Sequence, residues 1–140
     1  MPYAPDHIPL NKPDAFGTYP IEYAMGEDDP DMVKLVIESG ANPNIDLGEG
    51  RTPLHEAVDY CIDGMIQNNR DDFYPESLEI VKILLANGGD LNKKDNRGRK
   101  PLDLINIYSA NYKESFDKIV NMFRPAIPNI DELIEFTGEN

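Results

Sequence analysis

Side-chain catalysis needs a nucleophile within reach of a base, or several ligands converging on a metal. This chain of 140 residues offers few such groups: two histidines, His7 and His55, and one cysteine, Cys61. His55 and Cys61 stand six residues apart, which turns them to different faces of a helix. With no other histidine near it, Cys61 reads as a small buried hydrophobe, not an activated thiolate. An enzyme would need a concealed site around Asp59, Cys61 and Asp63. The acidic run Glu27-Asp28-Asp29-Pro30-Asp31 invites a calcium reading, but it lacks the alternating acids, central glycine and late glutamate of an EF-hand loop. It fits better as a helix start, where the dipole favours negative charge. No glycine-rich phosphate loop occurs, and Gly48-Glu49-Gly50 belongs to a hairpin tip. The expectation is a chain with no catalytic residues, no cofactor and no metal.

Composition narrows the remaining classes. The formal net charge is −13, which disfavours nucleic-acid phosphate as a ligand and suits a basic protein partner. Acidity also serves solubility alone. One cysteine forbids an internal disulfide, no apolar run approaches the ~20 residues of a membrane span, and Met1 to Asp6 lacks the features of a signal peptide. These features suggest a cytoplasmic protein without membrane contact.

The elements that must position any functional residue are repeats. Gly50-Arg51-Thr52-Pro53-Leu54-His55-Glu56-Ala57 opens a helix: Thr52 can cap it and Pro53 can occupy its first position. Gly17-Thr18-Tyr19-Pro20-Ile21-Glu22-Tyr23-Ala24 matches it 33 residues earlier, and Gly98-Arg99-Lys100-Pro101-Leu102-Asp103-Leu104-Ile105 matches it more weakly downstream. Gly50 to Gly98 spans 48 residues, 15 more than that period. The excess lies between Val58 and Leu78, where the first helix should extend, break at Asn68-Asn69 and give way to a second helix at Pro75. Met32, Val33, Leu35, Val36 and Ile37 should fill the buried side of repeat one's second helix. Leu84 and Leu85 should do so in repeat two. Asn111 with Glu114 resembles a capping box.

The Gly-x-Thr-Pro-Leu-His-x-Ala motif and the 33-residue period resemble the ankyrin-repeat family. The resemblance implies an all-α solenoid of about three helix-turn-helix repeats with hairpin loops. Residues 1–13 would form an N-terminal arm, pinned by Tyr3, Ile8 and Leu10. Repeats would occupy 14–46, 47–94 (with the insertion near 59–77) and 95–126, and a capping helix 127–140. It also implies that His55 bonds to neighbouring backbone and to the Thr52 hydroxyl.

Ankyrin proteins bind partners through hairpin tips and the exposed side of each first helix. Carried onto this chain, those positions are Glu27, Glu49, Arg51, Asp59, Tyr60, Arg97, Arg99, Ile107 and Tyr108. The insertion adds Met65, Ile66, Arg70, Phe73 and Tyr74, whose apolar groups should be buried either in the fold or in a partner. Residues 63–74 are expected to be dispensable for folding and needed for binding. The small, acidic chain also resembles ankyrin-type immunity proteins, which neutralise a cognate toxin. An adaptor or scaffold that binds without inhibiting is the alternative.

Overall fold

In the computed structural model, which describes residues 9–138, six α-helices follow one another in pairs. The first pair is α1 (Pro20–Gly26) and α2 (Pro30–Glu38), and the second is α3 (Pro53–Gln67) and α4 (Pro75–Ala86). In the third, a 3-10 turn (Pro101–Asp103) leads into the short α5 (Leu104–Tyr108), and α6 (Lys113–Phe123) follows. No strand occurs among the described residues. The first helices, α1, α3 and α5, touch in one row, and α2 lies against α4 in a second. One apolar core runs through all three pairs, from Ile21 and Val33 through Leu54, Val58 and Leu84 to Ile105 and Phe123.

Local chemistry sets where the helices begin. Pro20, Pro30, Pro53, Pro75 and Pro101 each stand at a helix start. Proline loses nothing there, because its missing N–H would be unpaired and its fixed φ is already helical. The residue two places after the first-helix proline then accepts the N-cap N–H. Glu22 Oε1 takes it from Tyr19 at 2.9 Å, His55 Nδ1 from Thr52 at 3.1 Å, and Asp103 Oδ2 from Lys100 at 2.7 Å. Copies one and three therefore depart from the Thr/His pattern in identity while keeping an acceptor in place. At the far end of the second pair, a Cβ on Gly89 would lie 2.8 Å from the Leu84 carbonyl oxygen and 2.9 Å from the Leu54 side chain, so the layers need glycine there.

Asparagines clamp one layer to the next. Asn44 donates to the Gly88 carbonyl at 2.8 Å and accepts from the Asp90 N–H at 2.7 Å. Asn11, 33 positions earlier, does the same to Gly40 (3.1 Å) and Asn42 (2.7 Å). The described end of the arm is thus fixed by the bond that also joins the repeats. Leu10 lies beside Gly40, half-buried. Tyr3, His7 and Ile8 lie outside the described residues.

Several expectations need correction. Met32 and Leu35 are 43% and 62% exposed, because α2 ends the second row and has no neighbour on its outer side. Leu84 is fully buried but Leu85 only half, so they do not share one inward face. Asn111 does not cap α6: Tyr112 holds the N-cap, and Asn111 sits one residue earlier at a φ of 68°. The C-terminal cap is a single 3-10 turn, Ile130–Glu132, with Ile130 fully buried beneath it. Most consequentially, Met65 and Phe73 are each only 7% exposed. The insertion therefore extends the core, against the expectation that it is dispensable for folding.

Candidate functional site

Three hairpin tips project at the N-terminal ends of the first helices, and one device folds each. Asp14 Oδ1 accepts the N–H of Phe16 at 2.9 Å and of Thr18 at 3.0 Å. Asp46 Oδ1 accepts from Gly48 at 2.8 Å and Gly50 at 3.0 Å, and Asp95 Oδ1 from Arg97 and Arg99, both at 2.9 Å. A short acceptor bonding its own backbone two and four residues on closes a tight turn. What the tips present differs. The first ends in Phe16, 88% exposed, the second in Glu49, and the third in Arg97. In the third, burial alone would raise the Asp95 carboxyl. The N–H bonds from Arg99 and Arg97 and the Arg99 guanidinium at 3.3 Å outweigh it, holding the group below the usual carboxylate range. Five of the chain's 13 cationic residues, Lys93, Lys94, Arg97, Arg99 and Lys100, stand on or beside this tip.

Behind the tips, the outer face of the first-helix row carries tyrosines among carboxylates. Tyr60, 36% exposed, lies in the field of Glu56, Glu22 and Asp59. Burial of its ring, with Glu56 next in effect, pushes its phenol up to about 12. Tyr108, its counterpart in the third repeat, is half-buried and donates to Asp59 Oδ1 at 2.5 Å. Burial and then Asp59 raise its phenol as well. Arg51 reaches Glu56 Oε1 at 3.2 Å through both Nε and Nη2. The face is thus negative along α1 and α3 and positive at the third tip.

The family comparison agrees with this architecture. The ankyrin-repeat family model matches residues 49–96, the segment holding α3, the insertion and α4. The chain is an ankyrin-repeat solenoid. It is 33% identical over 90 residues to an ankyrin repeat-containing protein of Schizosaccharomyces pombe, covering 57% of this chain and 36% of that one. It is 31% identical over 80 residues to an ankyrin repeat protein of Rickettsia felis, covering 57% and 30%. An ankyrin repeat protein of Acanthamoeba polyphaga mimivirus is 28% identical over 116 residues, covering 76% and 15%. The chain spans little more than a third of these curated relatives at most.

Most ankyrin-type contact positions do reach solvent. Glu27, Glu49, Tyr60, Ile66, Arg97 and Ile107 are exposed, and Arg51, Asp59, Arg70, Tyr74, Arg99 and Tyr108 are half-buried. They do not form one patch. Glu49, Arg51, Arg97 and Arg99 line a polar cleft between the second and third tips. Tyr60 and Tyr74 line a separate cavity. Met65 and Phe73 face the core and leave the set of surface anchors. The sequence reading passed over Phe16 and Tyr23. Both are exposed, and Tyr23 donates its hydroxyl to Asp14. The available signal was the placement of a large apolar residue immediately before Gly17, at a turn.

The residues that might have done chemistry are engaged elsewhere. His55 is fully buried, with Nδ1 on the Thr52 N–H and hydroxyl and Nε2 2.8 Å from the Arg99 carbonyl. Cys61 is 1% exposed, and burial pushes its thiol up to about 12. Native protein should therefore resist iodoacetamide at neutral pH and react stoichiometrically once unfolded in urea, as mass spectrometry would read directly. Native-state labelling at the rate of a free thiol would show that α3 opens. No group of three or more potential metal ligands converges among the described residues. No helix there is long and apolar enough to cross a membrane.

Proposed function

We propose that this ankyrin solenoid captures a basic protein on the face of its first helices and inhibits it by occlusion. The supporting observation is the set of carboxylates, Glu22, Glu56 and Asp59, around the half-exposed ring of Tyr60. Such a field raises the association rate of a cationic partner, while a partly desolvated tyrosine slows its departure. The narrower reading, that the partner is a cognate toxin and this chain its immunity protein, rests on the sequence resemblance. Neither reading requires this protein to catalyse anything.

The test uses tagged protein to isolate the partner, followed by binding kinetics across ionic strength. The association rate should fall as salt shortens the Debye length below ~8 Å. The double variant Glu56→Gln/Asp59→Asn should slow association about tenfold and change dissociation little. A salt-independent association rate would refute capture by charge. Partner activity that survives saturation would replace inhibition with scaffolding.

A further inference from the structure

The insertion does more than lengthen the repeat. α3 has 15 residues where its counterpart α1 has seven, so its C-terminal half overhangs the end of the first repeat. Under the overhang lies a cavity of about 270 Å3 bounded by Met25, Asp28, Tyr60, Asp63, Gly64 and Tyr74. That volume falls below the roughly 300–1,000 Å3 of small-molecule sites and is on the scale of a single side chain. We propose that this cavity receives one arginine side chain of the basic partner inferred above, and the proposal rests on that reading.

Three features point to arginine. First, the walls pair rings with carboxylates. Tyr60 and Tyr74 suit a planar cation and its aliphatic stem, and Asp28 and Asp63 suit its charge. Asp63 is held by Gln67 Nε2 at 2.7 Å through one oxygen, and no hydrogen bond or ion pair among the described residues engages the Asp28 carboxylate. Second, the protein itself shows that a guanidinium stacks on this ring: Arg70 lies 4.0 Å from the Tyr74 centroid and pairs with Asp72 at 3.1 Å. Arg70 is not part of the cavity wall.

Third, Gly64 sits inside α3, where glycine is the second-worst helix former. Its backbone does not require glycine. A Cβ there would meet Tyr74 Cδ2 at 3.8 Å, an ordinary contact. What glycine does at this position is leave the cavity open. A neutral or acidic side chain would not use both carboxylates, and their like charge would repel an acidic one.

The probe is N-acetyl-arginine amide, titrated into 15N-labelled protein and compared with the isosteric neutral N-acetyl-citrulline amide. Saturable shifts are expected at Gly26, Asp28 and Gly64 with the arginine compound and not with citrulline. Asp63→Asn should weaken binding about tenfold, the loss of one charge-assisted hydrogen bond. Gly64→Leu should abolish binding by filling the space, while an unchanged circular dichroism spectrum and melting curve show that the variant folds. Equal shifts from the citrulline compound, an unaltered affinity in Asp63→Asn, or shifts that never saturate would overturn the proposal. The result separates from the general reading. Salt-dependent partner capture that persists in Gly64→Leu, with no arginine binding, would leave the charged face intact and remove the pocket. Saturable arginine binding beside a partner that ignores Glu56→Gln/Asp59→Asn would do the reverse.

Discussion

Phe73→Ala is expected to destabilise the protein by about 3–5 kcal/mol, the cost of truncating a buried aromatic ring. The whole stability of a domain this size is about 5–15 kcal/mol, so the variant should lose a large fraction of it and melt well below the parent. The effect is large because of what the ring joins. Phe73 belongs to the segment linking α3 to α4, yet its ring packs on Phe123 of α6, with centroids 4.6 Å apart and planes at 57°. Phe123 is fully buried. The contact thus fastens the second repeat's insertion to the last helix, and short solenoids depend on such nearest-neighbour interfaces. Ile66→Ala supplies the comparison. It truncates an apolar residue of the same insertion, near the end of α3, but one 53% exposed, and should shift stability by no more than about 0.5 kcal/mol. Thermal unfolding followed by circular dichroism distinguishes the two. If Phe73→Ala melts like Ile66→Ala, the insertion is a surface loop after all. Replacing residues 63–74 with a Gly/Ser linker should behave like Phe73→Ala, because it removes Met65 and Phe73 together.

The segment also marks where sequence reasoning stopped. Gly50 to Ala57 could be placed from eight residues because each has a local job: cap, first-turn proline, acceptor, small contact. The end of α3 and the start of α4 were equally readable, since Asn68-Asn69 and Pro75 act on their own backbone. The inward turn of Phe73 was not, because an apolar residue in an irregular loop has no periodicity to assign it a face. Leu35 failed for a related reason. Its spacing in α2 matches a buried position, but burial needs a neighbouring helix, and α2, packed on α1 and α4, has none on the outer side of its row. The tips were legible as turns, while the contrast among Phe16, Glu49 and Arg97 becomes a surface property only once the fold aligns them. The cavity beneath α3 was least accessible of all: its walls come from Asp28, Asp63 and Tyr74, far apart in sequence.

His55→Ala is expected to cost about 3 kcal/mol or more. The ring is fully buried and serves two partners at once. Nδ1 accepts from the Thr52 N–H at 3.1 Å and lies 2.9 Å from the Thr52 hydroxyl, so the proton must sit on Nε2, which donates to the Arg99 carbonyl at 2.8 Å. The first set of bonds starts α3, and the second crosses to the strap leading into the third repeat. Glu22 and Asp103 occupy the equivalent positions and accept an N-cap N–H, but an ionised carboxylate has no proton to donate onward. Only the histidine couples layers in this way. Alanine would leave the Thr52 N–H without its partner, at about 1–3 kcal/mol if that group stays buried, would reduce the Arg99 carbonyl to its one remaining bond, from the Asp95 N–H at 2.9 Å, and would open a void where the fully buried ring stood. His55→Gln should recover part of the loss, since an amide offers one donor and one acceptor. Urea unfolding gives the magnitude, and hydrogen exchange gives the location: protection should fall first in residues 98–108 and only then in α3. A loss under about 0.5 kcal/mol, or a loss of exchange protection confined to α1 and α2, would show that the histidine does not couple the second repeat to the third.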